Sequence, residues 1–243
     1  MRSSNPTLND KTFEGLRATG MPMTINGTIT RALILLVLVV VSGAFTWDKI
    51  KLGDIADASQ WAMAGLIGGL VFCLVTVFKK EWSPVTAPIY AICEGLLLGA
   101  VSALMEARFK GIVVDAVLLT FGTLFCLLLA YRSGLIKATR NFVLGITAAT
   151  GAICLVYLVG WIMAMFGKSI PYIHEGGWVG IGFSLFVVTI AALNLVIDFD
   201  LIERGEAAGA PKYMEWYGAF ALMVTLIWLY LEILRLLSKL RNR

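Results

Sequence analysis

Seven long, almost charge-free stretches constrain this chain more than any motif does. They run approximately over Arg31–Trp47, Trp61–Phe78, Val85–Leu104, Ile112–Tyr131, Phe142–Phe166, Trp178–Ile197 and Tyr213–Leu237. A hydrocarbon layer about 30 Å thick takes roughly 20 apolar residues per helical crossing, so each stretch is a span by length. Composition agrees: 59% of the 243 residues are hydrophobic, 15% are charged, and the mean hydropathy is +0.84. A β-barrel also satisfies its backbone in lipid, but its strands alternate apolar and polar residues, whereas these stretches are apolar on every side. The expected fold is an all-α integral membrane protein, a seven-transmembrane-helix bundle with the last helix central. Residues 1–30 read as a polar cytoplasmic tail and residues 31–240 as the transmembrane domain.

Trp47, Trp61, Trp82, Tyr131, Trp178 and Tyr213 stand at span ends, where amphipathic rings settle at a membrane interface. The tail, with Ser3, Ser4, Asn5, Asp10, Lys11, Glu14 and Arg17, lacks the basic, apolar, small-residue order of a cleavable signal peptide. Cys73, Cys93, Cys126 and Cys154 fall in four different spans without C-x-x-C spacing, so they read as buried inert thiols rather than zinc ligands or a disulfide framework. The net charge is +4, and no basic block is interleaved with aromatics, so a nucleic-acid partner has no support. Lys and Arg concentrate on the face holding the tail, Lys79–Lys80, 132–140 and 204–212, which places the N-terminus in the cytoplasm by the positive-inside rule. A C-terminal cluster of Arg235, Lys239, Arg241 and Arg243 argues the other way.

Charge inside a membrane costs about 2.5 to 3.5 kcal/mol per residue on insertion scales, so an intramembrane acid faces a cavity or a partner. Six acids qualify. Asp115, Asp200 and Glu215 lie near predicted ends, where contact with interfacial water is the simpler reading. Glu94, Asp198 and Glu232 lie deeper. Gly95 and Gly99 follow Glu94 at a small-xxx-small spacing that lets another helix backbone approach, and Gly65 and Gly69 repeat it on the second span. Packing explains the glycines and leaves the glutamate for ion contact or a polar pair.

The runs Cys93-Glu94-Gly95-Leu96-Leu97-Leu98-Gly99, Asp198-Phe199-Asp200-Leu201-Ile202-Glu203 and Leu229-Tyr230-Leu231-Glu232-Ile233-Leu234 resemble the third, sixth and seventh helix signatures of the Bax inhibitor family. The N-terminal Met1-Arg2-Ser3-Ser4-Asn5-Pro6 and the stretch 209–217 resemble its bacterial branch. The resemblance implies a pH-sensitive calcium leak across the inner membrane, in which two acids on the last two helices pair by hydrogen bonding. Asp198 takes the first position and Glu232 the second. Both become transient Ca²⁺ ligands, with Glu94 as the next carboxylate along the path and Asp200, Glu215 and Arg204 in secondary roles.

Two carboxyls sharing a low-dielectric site cannot both ionise cheaply, so such a pair switches with pH: the protonated form holds the helices together, and the ionised form repels and presents oxygen ligands suited to Ca²⁺. Depth tests the pairing. A straight seventh helix from Lys212 carries Glu232 about 30 Å from the face nearest Asp198, whereas a first segment lying along the interface shortens this to roughly 18 to 20 Å. Glu215 is the other partner by depth.

An enzyme is not expected. The residues around Asp198 lack the G-x-G-D and Y-D signatures of presenilin-like proteases, and Ser184 with the lone His174 lacks the G-x-S-G of rhomboids. The stronger rival is a multispan interaction protein that modulates a membrane protease through its polar tail, a role the resemblance also implies. No resident cofactor is expected, and the partners are the bilayer, Ca²⁺ and protons.

Overall fold

Thr24 starts the first span. Its backbone is extended and its side chain accepts a hydrogen bond from the Gly27 amide, the arrangement of an N-cap. The helix therefore begins at Ile25, inside what the hydropathy pattern assigns to the tail. The computed structural model describes residues 21–166 and 177–242; residues 1–20 of the expected tail, and His174, lie outside them.

Among the described residues seven long helices follow in order: α1 (Ile25–Lys51), α2 (Ile55–Phe78), α3 (Ser83–Arg108), α4 (Ile112–Arg132), α5 (Arg140–Met165), α6 (Trp178–Ala207) and α7 (Met214–Arg241). All seven are long and apolar enough to cross a membrane, and among the described residues the only β pairing is an isolated bridge between Pro22 and Pro211. The chain is an all-α, multi-pass membrane protein.

Breaks between spans fall where local chemistry demands them. Gly53, Gly111 and Gly209 take positive φ at the α1–α2, α3–α4 and α6–α7 turns, where a side chain is strained. A proline enters the first turn of α3, where its missing N–H has no partner to lose. Trp61, Trp82 and Trp178 are exposed, as interfacial anchors must be.

The helices sort into two compact units. In one, α1, α2 and α3 pack with 200–224, the end of α6 and the start of α7. The other holds α4, α5, α6 as far as Phe199 and α7 from Thr225. More than half of the apolar window of α6 and of α7 is buried, 56% in each, against 17% or less in α1, α2, α4 and α5. The windows of α6 and α7 are the most buried, that of α3 is 44% buried, and α1, α2, α4 and α5 bury the least.

In the first unit the glycine spacings act as the sequence predicts. A Cβ on Gly95 would collide with Ser42 and the Val39 carbonyl of α1, and one on Gly99 with the Gly43 carbonyl and Thr46. On α2, a Cβ on Gly65 would meet the Cys93 carbonyl. Helix α3 is thus gripped on two sides at backbone contact, where dispersion replaces the hydrophobic force that lipid removes. The thiols correct the sequence reading: Cys73 and Cys93 are half-buried, but Cys126 and Cys154 are exposed, on faces that composition assigns to lipid.

Gly99→Leu is expected to destabilise the protein by about 1 to 3 kcal/mol, because the close-packed interface cannot absorb the volume. Gly122→Leu, at a site with nothing within 4 Å of an added Cβ, leaves stability unchanged. Unfolding temperatures of both variants in detergent check this pair.

Candidate functional site

The candidate acids occupy different environments. Asp198, twenty residues into α6, is 0% exposed. Two residues on, Asp200 is ion-paired one turn ahead with Arg204 at 2.6 Å, which accounts for both of these secondary candidates locally.

Glu232 is 2% exposed in the second unit. Its Oε1 accepts from the Tyr157 hydroxyl of α5 at 2.9 Å, and Nη1 of Arg235 reaches Oε1 at 2.9 Å and Oε2 at 3.2 Å. The same Nη1 donates to the Tyr157 oxygen at 2.7 Å, and the guanidinium carbon stands 5.1 Å from the Tyr157 ring centroid. One turn beyond Arg235, buried Lys239 donates to the Gly180 carbonyl at 3.0 Å and to Ser184 Oγ at 2.8 Å. Arg241 closes on Asp115 of α4 at 2.6 Å. The last two turns of α7 are thus fastened to α4, α5 and α6 by three cations in succession.

The Lys239–Ser184 contact also supplies a register. At 1.5 Å per residue Asp198 lies about 21 Å along α6 from Ser184, and Glu232 about 10 Å back along α7 from Lys239. The two carboxyls therefore sit at different depths, about two helical turns apart. Helix α7 runs unbroken from Met214, the straight case of the depth arithmetic.

Glu215 overturns its sequence reading. It is not at interfacial water but 0% exposed, at the start of α7 in the first unit. Its Oε1 receives the Thr24 amide at 3.0 Å, the Thr24 hydroxyl at 3.1 Å and Lys212 at 3.0 Å, while Arg31 holds Oε2 at 3.0 Å. Ordinarily a Glu at the third helical position closes the capping box by reaching back to the N-cap amide. In α1 that position is Gly27, and a Cβ there would collide with the Glu215 carboxylate. A residue from the far end of the sequence completes the cap of the first helix. Glu206 takes the next amide, Ile25, at 2.9 Å, and the Met23 amide pairs with the Ala210 carbonyl at 2.7 Å.

Glu94 is half-buried on α3. The Tyr90 hydroxyl faces it one turn earlier, and a Cβ on Gly69 would lie 2.9 Å from its Oε1, so α2 passes directly over the carboxylate. Tyr90 in turn packs edge-on against Phe220 of α7, with centroids 4.9 Å apart.

Among the described residues no three metal-binding side chains cluster. Sequence reading assigned no role to Tyr157 or Thr24, and Arg31 entered it only as the start of the first span. Arg235 entered it only as a topology charge, although its i, i+3 spacing from Glu232 is a readable pairing signal.

Replacing Glu215 by Ala is expected to cost about 3 to 5 kcal/mol, the range for breaking a buried ion pair and stranding its partners. Thr24→Ala costs about 1 kcal/mol, the usual loss of a cap. Chemical unfolding in mixed micelles orders the two variants.

A family model described as Bax inhibitor 1 like matches residues 5–242. No curated protein matches the chain, and no solved structure does.

Proposed function

We propose that this chain, which belongs to the Bax inhibitor 1-like family, is a pH-sensitive calcium leak gated by protonation of buried carboxylates on its last two helices. The supporting observation is the burial of Asp198 and Glu232, 0% and 2% exposed, in the two helices with the most buried apolar windows. A carboxylate held in such a place is expensive unless a cation, a proton or a donor answers it. That is the property a cation pathway needs, because the same oxygens that attract Ca²⁺ can be switched off by a proton. Glu94 is the third station, with Tyr90 as its donor.

In this reading the acids act as successive single stations. Ionised, each offers hard oxygens to a passing Ca²⁺; protonated, each offers a donor to its neighbours and no charge to the ion. Calcium entry therefore rises as pH rises through the titration of the buried acids. The ion is cargo, no cofactor is required, and no chemical reaction is catalysed.

The protein belongs in this account to the bacterial branch of the family, in the inner membrane, with its N-terminus in the cytoplasm. Three of the four C-terminal cations that oppose this orientation in a simple charge count are engaged within the protein, Arg235 by Glu232, Lys239 by Ser184 and Arg241 by Asp115; Arg243 lies outside the described residues. A second reading, an interaction protein acting on a membrane protease through its tail, is favoured by one observation. The residues that join the tail to α1 are tied to the α6–α7 turn through Met23–Ala210 and Thr24–Glu215.

Calcium entry into proteoliposomes loaded with a calcium dye, followed from acid to neutral pH, tests the leak. Wild type is expected to leak several-fold faster at the upper end, and Asp198→Asn to lose that dependence while remaining folded. A pH-independent rate equal to that of empty liposomes would refute the leak and leave the interaction protein.

A further inference from the structure

The Glu232 carboxylate does not wait for a cation, because it already has one. We infer that Glu232 and Tyr157 form a cation seat whose resident occupant is the chain's own Arg235 guanidinium, and that another cation reaches Glu232 only when that side chain withdraws.

Three observations carry this. The first is completeness: one guanidinium nitrogen bonds both Glu232 oxygens and the Tyr157 oxygen, and the guanidinium carbon lies 5.1 Å from the tyrosine ring centroid. A carboxylate beside an aromatic ring and a phenol oxygen is how proteins recognise guanidinium and other soft organic cations. The second is asymmetry of exposure. The Glu232 side chain is 2% exposed and that of Arg235 is 42% exposed, so the seat lies inside the protein while its occupant closes it from the open side. Withdrawal requires rotation of one long side chain and no movement of α7.

The third is the surrounding charge. Lys239 lies one turn further along α7, on Gly180 and Ser184, and Asp198 is about two turns away in depth. The hydrogen bonds on the Glu232 oxygens come from Tyr157 and Arg235, so Arg235 is the cation in direct contact with the carboxylate, and Lys239 acts on it from farther off. The geometry selects a monovalent guanidinium-like cation first and a divalent metal ion second, since a lone carboxylate with a phenol offers few of the six to eight oxygens that Ca²⁺ prefers. If the proposed leak runs through Glu232, Arg235 is its gatekeeper. That extension rests on the proposed function; the seat does not.

Chemical rescue tests the seat. Arg235→Ala is purified in detergent as the full chain and its unfolding temperature measured with methylguanidinium, calcium or tetramethylammonium chloride at equal ionic strength. The variant is expected to melt several degrees below wild type, and tens of millimolar methylguanidinium to restore about half of the loss by binding the folded form. Calcium restores less, and tetramethylammonium, which has no N–H to donate, restores nothing. Rescue must vanish in Arg235→Ala/Glu232→Gln. Failure of every cation, or equal rescue in the double variant, overturns the seat and leaves Arg235 a structural partner.

Should Arg235→Ala fail to fold, phenylglyoxal modification of Arg235 in the wild-type sequence, read by peptide mass spectrometry, decides the matter. Tyr157→Phe or added calcium is expected to raise the rate several-fold, and an unchanged rate overturns the seat. Flux separates the two claims: rescue without any increase of calcium entry in Arg235→Ala, in liposomes where wild type leaks, keeps the seat and removes Glu232 from the path.

Discussion

An ionised carboxylate in hydrocarbon must be answered inside the protein, and that requirement organises both units of this fold. Glu215 and Glu232 sit on the same helix, 17 residues apart, and each is nearly inaccessible to solvent. Each draws a hydroxyl and at least one cation to itself: Thr24, Arg31 and Lys212 at one end, Tyr157 and Arg235 at the other. Without these donors a span so placed would carry an uncompensated charge. With them, α7 is fixed to α1 near its beginning and to α5 near its end.

The two sites differ in what they hold in reserve. The donors of Glu215 include a backbone amide and the cap of α1, and a glycine leaves room for it where a side chain would collide. Disturbing it means unwinding the start of a helix, which marks it as structural. Glu232 is held by two side chains and no backbone donor among its hydrogen bonds, and one of the two is substantially exposed. A bond set made of side chains can be exchanged for other ligands on the timescale of rotamer motion. That contrast, rather than the presence of charge alone, separates a clamp from a candidate ion station.

Much of this was legible in the sequence and some was not. The spans were, because twenty apolar residues in a row have few other solutions, and so was a close helix approach at Gly65, Gly95 and Gly99, although which helices meet there was not. The start of α1 was missed, since hydropathy registers apolar residues while the helix is begun by a cap at Thr24. Burial of Glu215 was hidden for a different reason: its partner lies 191 residues away, and the vacancy that accepts it is a glycine with no distinctive neighbour. Tyr157 looks like any aromatic in a span until α7 is laid beside it. Arg235 carried a readable signal, its spacing from Glu232, but a basic residue near a span end is equally well explained as an anchor. Local spacing reports local pairs; compensation across helices needs the fold.

The central claim is that charges within the spans exist as compensated sets whose members act together. A double-mutant cycle on Glu232→Gln and Arg235→Gln, read as unfolding free energy in lipid-containing micelles, tests it most directly. The double change is predicted to cost less than the sum of the two single changes, with a coupling of at least about 1 to 2 kcal/mol. Additive losses, with coupling below about 0.5 kcal/mol, would show that the two residues do not compensate one another and would contradict the account.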